Sequence, residues 1–422
     1  MCRTSLCLRA LNARSMLPTR DRISIQITRT VAYHQALMRH WFAVALALAS
    51  STYADAQTEL SRVRVASSGT HTLVVAPDGT VLCQGRNQYS VCSADSSKFT
   101  AKLSPVPGVP KARAVAVADP WTSLVLGEDG KVYAWGENQY GLFGGTDRGP
   151  TYVRAVPTPI AGLGRSIDIA AMILGGAALA ADGTVWMWGE DAEGLLGTGT
   201  LTKSWQSGKP QFTPARVAGL DDVRQIASGS KHMLALKSDG TVWAWGANKY
   251  GQLGLGDRDG RAKPTRVSSL NGVTRIYADA AMSAARQADG SWMVWGAAPS
   301  IKPPTDDGPP VLTPSALPGL LLNAVDIANG VALFRDGTVR TWGGNSFGTL
   351  GTGGSVDAAA TAPRAVLVRS LSGIVQVWNG NNRSLALKSD GTLLLWGPSG
   401  SEGAGVFRVP TVIATFKLEA AR

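Results

Sequence analysis

An Asp-Gly dipeptide recurs seven times along this chain at near-regular spacing, with its glycines at Gly79, Gly130, Gly183, Gly240, Gly290, Gly337 and Gly391. The intervals are 51, 53, 57, 50, 47 and 54 residues, and each dipeptide is followed by a short apolar run. In six of the seven repeats that run closes in Trp-Gly. A period of this size with several short strands per unit marks a β-propeller, whose blades cannot bury their faces alone. The expected fold is therefore all-β, a seven-bladed β-propeller of four-stranded antiparallel blades. The repeats run over about 61–110, 111–164, 165–220, 221–270, 271–320, 321–371 and 372–418 within a propeller spanning 57–422.

The fourth repeat is the cleanest. It reads Val223 to Ala227, Lys231 to Leu236, Thr241 to Gly246 and, after Asn248 and Tyr250 to Gly254, Pro264 to Val267. Four extended runs separated by turn residues make one antiparallel sheet. Asp-Gly is read as a two-residue hairpin pair, because such a turn needs the positive φ that glycine adopts freely. Side chains alternate along a strand, so Val242 and Ala244 point to one face and Trp243 and Trp245 to the other. One face is thus small and the other large, and stacking in a ring lets the indoles of one blade fill the small face of its neighbour. Trp135, Trp188, Trp245, Trp295, Trp342 and Trp396 are accordingly structural blade residues, with Gln84 alone breaking the series.

Residues Met38 to Gln57 read as a secretory signal peptide. Arg39 and His40 supply charge, Trp41 to Ala49 are apolar, and Ala54-Asp55-Ala56 is a small-residue cleavage site. Cleavage is expected between Ala56 and Gln57, giving a secreted or periplasmic protein with no integral membrane segment. Residues 1–37 are then a non-native or overlong leader, and Met38 competes with Met1 as the start of translation. The formal charge of +11 is concentrated here: residues 1–56 hold seven Arg against Asp21 and Asp55, which is +5 and leaves +6 for the remainder. No run of Lys or Arg follows, so a nucleic-acid partner is not expected. Only Cys83 and Cys92 remain after the leader. In an oxidising compartment they can form a local disulfide; in the repeat template they occupy the slots of Ala244 and Leu253, which also suits two buried thiols.

The stretch Ala235 to Asp257, Ala-Leu-Lys-Ser-Asp-Gly-Thr-Val-Trp-Ala-Trp-Gly-Ala-Asn-Lys-Tyr-Gly-Gln-Leu-Gly-Leu-Gly-Asp, closely resembles the repeat of the regulator of chromosome condensation family. The resemblance covers about 61–418 and is most specific in the second and fourth repeats. Repeat one has Ser90 where the Tyr-Gly glycine belongs, and repeat five replaces the whole Asn-x-Tyr-Gly element with Ala297 to Ser300. It implies a seven-bladed propeller but not one function. Members include a nuclear guanine-nucleotide exchange factor, a plant ultraviolet-B photoreceptor and a secreted bacterial β-lactamase inhibitory protein. An export signal argues against the first, and the Gly-Trp-Arg-His-Thr motif of the second is missing. The secreted inhibitor, which binds proteins through loops on one face, is the nearest functional analogue.

Catalytic chemistry finds little support. The only histidines after the leader, His71 and His232, occupy equivalent places in repeats one and four, with Arg383 in that slot in repeat seven. Asp257-Arg258-Asp259-Gly260 echoes a calcium loop but lacks its other ligand positions. No catalytic residue, metal or cofactor is expected. In an up-and-down blade the first-to-second and third-to-fourth loops share one end of the sheet, and loops on a rigid scaffold are where recognition residues gather. Trp121, Tyr152, Lys203, Trp205, Lys231, Asp306 and Asp307 fall on that side and are the candidate binding residues. The sequence therefore reads as an exported, monomeric, non-enzymatic propeller that binds another protein through one loop face. A carbohydrate-binding or carbohydrate-active envelope propeller is the alternative, and exchange-factor activity a more distant one.

Overall fold

The computed structural model describes residues 63–417 apart from 93–98, 119–121, 139, 145–151, 202–210, 298–309, 318–320, 322, 346, 355–360, 381–382 and 399–405. The leader and signal segment lie outside the described residues. Seven four-stranded antiparallel sheets follow one another along the chain, each with its strands paired in sequence order. Blades 1 to 7 span Arg64–Pro105, Ala112–Pro159, Ser166–Arg216, Val223–Arg266, Val273–Ala316, Ala324–Leu367 and Ile374–Thr415.

The buried side chains form seven apolar clusters, and each draws on two consecutive blades. One joins Cys83 and Val91 of blade 1 to Trp135 of blade 2. Another joins Met187 and Leu195 of blade 3 to Met233 and Trp245 of blade 4. A third joins Val242, Ala244 and Leu253 of blade 4 to Ile276 and Trp295 of blade 5. The small face of each of these blades is filled by the indole of the following one, as the alternation along Val242 to Trp245 requires. The seventh cluster closes the circle: Leu385, Leu387, Leu393, Leu395 and Phe416 pack against Val63, Val74 and Ala76. In that seam, where the indole slot holds Gln84, leucines and a phenylalanine supply the bulk.

Among the described residues no strand is exchanged between the first and last blades. Thr415 ends the fourth strand of blade 7 and pairs with Thr392 of the same blade, and the Phe416 N–H continues the edge by donating to the Gly391 carbonyl. The seam is sealed instead by side chains. Arg383 is 1% exposed and reaches from blade 7 to Thr72 Oγ1 (3.3 Å) and to the Gly69 and Thr70 carbonyls of blade 1.

The Asp-Gly turns differ from the two-residue reading. Each glycine has φ between 76° and 88°, but the aspartate before it does not. In blade 4 the Gly240 N–H donates to the Lys237 carbonyl and the Lys237 N–H to the Thr241 carbonyl. That is a three-residue loop, a type I turn completed by a glycine bulge. The reason lies in the side chain. Asp239 Oδ1 accepts from the Thr241 N–H at 2.9 Å and its hydroxyl at 2.7 Å, which holds the aspartate in the right-handed region and leaves glycine alone beyond it.

Candidate interaction face

The two ends of the ring are unlike. At the Asp-Gly end every turn repeats the same capping bond, from Thr80, Lys131, Thr184, Thr241, Ser291, Thr338 and Thr392 N–H to the aspartate two residues before. The hydroxyls of Thr184, Thr241, Ser291, Thr338 and Thr392, followed by these N–H bonds, hold the carboxyls of their turns below the ordinary aspartate range, as the Lys131 N–H does at Asp129; a Lys111 ammonium and the Thr80 N–H bring Asp78 to about 2. Gly79, Gly130, Gly183, Gly240 and Gly337 also accept, through their carbonyls, an N–H at the start of the first strand of the following blade, as Gly240 does from Val273. Main-chain polar groups at this end are largely committed to the ring.

At the opposite end the third-to-fourth loops carry a second repeated device. Asn87, Asn138, Asp191, Asn248 and Asn345 each accept, through the side-chain oxygen, the N–H five residues on. The loop so closed presents one main-chain carbonyl to the neighbouring blade. The Val91, Leu142, Leu195, Gln252 and Thr349 carbonyls accept the indole N–H of Trp135, Trp188, Trp245, Trp295 and Trp396 at 2.8–2.9 Å. Repeat five has lost this element. Among the described residues the buried Trp342 Nε1 that would have used it has no acceptor.

The two histidines lie inside these seams. His71 Nε2 is 3.0 Å from Ser123 Oγ of blade 2, and His232 Nε2 is 2.8 Å from Ser283 Oγ of blade 5. A histidine beside a serine resembles a base and its nucleophile, but Ser283 already donates its hydroxyl to the Gln252 carbonyl at 2.7 Å. With one hydroxyl proton so used, His232 must donate from Nε2, the reverse of what a general base requires. Both rings are 0% exposed. Desolvation pulls each down to about 3, with the Arg383 guanidinium adding to the effect at His71, so both are neutral.

One register position of the first strands is polar in six of the seven blades, with Arg64, Asp168, Gln225, Arg275, Asp326 and Gln376, and is Ala114 in blade 2. Gln225 makes two bonds to Ile276 of the next blade, donating to its carbonyl at 2.9 Å and accepting its N–H at 3.0 Å. Arg275 pairs with Asp326 at 2.8 Å. Asp168 accepts from the Ile226 N–H, and burial lifts its carboxyl to about 6 against the pull of its hydrogen bonds and Arg64.

Of the candidate binding residues, Trp121, Lys203, Trp205, Asp306 and Asp307 lie outside the described residues. Tyr152 is half-buried against the core between blades 2 and 3. Its ring is 6.3 Å from that of Phe143, and the Arg154 guanidinium stands 5.0 Å from the centre of Phe143 and 5.9 Å from that of Tyr152. Lys231 bridges blades, its ammonium 3.0 Å from Glu193 Oε1. Both side chains are partly exposed, so the pair fixes geometry more than it stabilises. Cys83 and Cys92 are joined as a disulfide with Cα atoms 5.1 Å apart.

Sequence reasoning passed over three aromatics on this end. Tyr250 is 45% exposed, Phe347 47% and Phe99 37%, and all three stand in third-to-fourth loops. Tyr250 and Phe347 were legible as the Tyr-Gly position of the repeat. The missed signal was the glycine that follows: Gly251 and Gly348 have φ of 73° and 70° and bring the backbone against Leu312 and Val406 of the next blade. The backbone fills that space, and the ring is left outside.

A family model described as "Regulator of chromosome condensation (RCC1) repeat" matches residues 129–175, 182–236 and 239–284, and a second with that description matches 223–252. Over 210 residues the chain is 29% identical to the ultraviolet-B receptor UVR8 of Arabidopsis thaliana, covering 48% of this chain and 44% of the receptor. Over 296 residues it is 33% identical to the E3 ubiquitin-protein ligase HERC2 of Mus musculus, covering 66% of this chain and 6% of the ligase. The chain thus spans less than half the length of these relatives. Among solved structures, Prp20p from Saccharomyces cerevisiae superposes with a TM-score of 0.67 at 22% identity, over 79% of this chain and 86% of Prp20p. Human WBSCR16 does so with a TM-score of 0.67 at 19% identity, over 79% and 94%. These two likenesses are of fold.

Proposed function

We propose that this chain, which carries regulator of chromosome condensation repeats over residues 129–175, 182–236 and 239–284, is an exported, non-catalytic propeller that captures another protein through the loops opposite its Asp-Gly turns. The fold is one used in protein binding, and Prp20p is described with binding properties to Gsp1p and histones. The observation that carries the reading is the asymmetry of the two ends. One end repeats a single capped turn seven times, whereas the other varies from blade to blade and holds Phe99, Tyr250 and Phe347 in the open. Exposed rings beside charged groups such as Lys249, 5.6 Å from the Tyr250 ring centre, are the usual anchors of a protein interface. Export rests on residues 38–56, and the non-catalytic reading on histidines that serve seams.

Capture from envelope or culture fractions tests the face. A Tyr250→Ala/Phe347→Ala variant should lose at least about thirtyfold in affinity, the effect of removing a 2 kcal/mol anchor. Lys131→Ala at the Asp-Gly end should bind as the parent does. Equal capture by all three removes the face from consideration, and retention of glycans in place of protein would favour a carbohydrate ligand. N-terminal sequencing of the exported chain should return Gln57; a chain retained inside the cell with its leader intact would refute export.

A further inference from the structure

Blade 1 keeps the asparagine cap and the carbonyl of the indole cradle but departs from the repeat at three neighbouring positions, Cys83, Ser90 and Cys92. Where the third-to-fourth loops of blades 2, 3, 4 and 6 place Gly141, Gly194, Gly251 and Gly348 in the left-handed region, it has Ser90 at φ 59°, a conformation that costs a residue with a Cβ roughly 1 kcal/mol or more. Where repeat four buries Leu253, it has Cys92, and where repeat four has Ala244 it has Cys83. The Leu253 side chain packs in the seam between blades 4 and 5 through apolar contacts, with its N–H on the Asn248 cap. The two cysteines are buried in the seam between blades 1 and 2 beside Val91 and Trp135 and are covalently joined. Val91, next to Cys92, supplies the carbonyl that accepts the Trp135 indole at 2.8 Å. The Cys92 N–H donates to Asn87 Oδ1 at 2.7 Å, so bond, cap and carbonyl belong to one short segment.

We propose that the Cys83–Cys92 disulfide fastens this cradle in place of the missing leucine and glycine, and that its reduction loosens the seam between blades 1 and 2. Reduction takes two electrons and two protons from an external dithiol, which leaves as its own cyclic disulfide, and yields two thiols. The loop then keeps its Asn87 cap but loses the tie to the third strand. A free Cys92 is smaller than the leucine of the template, and Ser90 still opposes the turn. The Val91 carbonyl is released from the indole, and the first seam becomes the one responsive to redox conditions. An oxidising compartment holds it shut.

The indole N–H of Trp135 reports the cradle directly. In protein labelled with 15N at tryptophan, with the Trp135 signal assigned by its loss in Trp135→Phe, hydrogen exchange at this N–H is measured against that of Trp188 in the same molecule. Cys83→Ala/Cys92→Ala should speed Trp135 exchange about tenfold or more relative to Trp188, a local opening of one seam. Cys83→Ala/Cys92→Leu, which restores the template without the bond, should return to within about threefold of the parent. The parent equilibrated with dithiothreitol, once mass shows two thiols, should behave as the alanine pair does; if that pair does not fold, oxidised against reduced parent gives the same reading. Unchanged Trp135 exchange after the bond is lost overturns the proposal. So does a leucine variant as labile as the alanine pair, or a bond that the dithiol cannot reduce in the folded protein.

Discussion

His232 shows how a residue suited to catalysis becomes structural. Its Nε2–H donates to Ser283, Ser283 donates to the Gln252 carbonyl, and Trp295 donates to the same carbonyl, so both lone pairs of one oxygen are used. A neutral ring is required, and acid works against it. The two histidines titrate near 6.5 in an unfolded chain and at about 3 when folded, so their contribution is complete above pH 6.5 and declines as pH falls toward 3. Asp168 acts in the opposite sense, because its folded value of about 6 lies above the ordinary 3.8 and protonation relieves a buried charge. Comparing the parent with His71→Gln/His232→Gln by urea unfolding isolates the histidines. Between pH 6.5 and 5 the parent should lose stability faster than the variant by up to about 1.4 kcal/mol per pH unit for each histidine. Parallel curves would mean that the rings are not held neutral. At this scale the sequence disclosed the shared slot of His71, His232 and Arg383 but not its purpose, since Ser123 and Ser283, which share a slot of their own seven residues before Gly130 and Gly290, meet the histidines only across a blade seam.

At the scale of the strand and loop, the indole cradle links each blade to the next. The six tryptophans before glycine were visible as a column in the sequence; their acceptors were not, because a main-chain carbonyl leaves no mark in residue identity. The same limit explains the Asp-Gly turn, where glycine's positive φ was legible but the extra loop residue depended on a side-chain cap. Comparing Trp245→Phe with Trp342→Phe separates packing from hydrogen bonding. Both lose similar apolar volume, but only the first strands a buried carbonyl, at Leu195. Among the described residues Trp342 Nε1 has no acceptor to lose. Trp245→Phe should therefore be the more destabilising by about 1–3 kcal/mol in denaturant unfolding, and equal costs would deny the carbonyl its role. The candidate site was legible only as a choice of end: Tyr152 came from a departure from the repeat and Lys231 from the slot that Trp121 takes in repeat two, whereas Tyr250 and Phe347 sit on the repeat itself.

Taken whole, the ring follows from one local rule applied seven times, which is why blade number and blade content could be read from the glycine spacing. Closure could not, because Arg383 takes the histidine slot with a different chemistry, and with Gln84 in the indole slot the seventh seam is filled by leucines and Phe416. Every blade is one uninterrupted stretch of chain, and Val63 and Phe416 meet in the same cluster. Such a circle has no privileged starting point. A circular permutant that joins the residues beyond Phe416 to those before Val63 by a short Gly/Ser bridge, and opens instead in the exposed turn between Leu270 and Gly272, should fold to the same far-ultraviolet spectrum and lose no more than about 2 kcal/mol. An insoluble or molten product would show that the order of synthesis matters after all. If the rotated chain folds, a designer gains several equivalent doorways through which cargo or a second binding unit could be spliced into the wheel without unseating a single spoke.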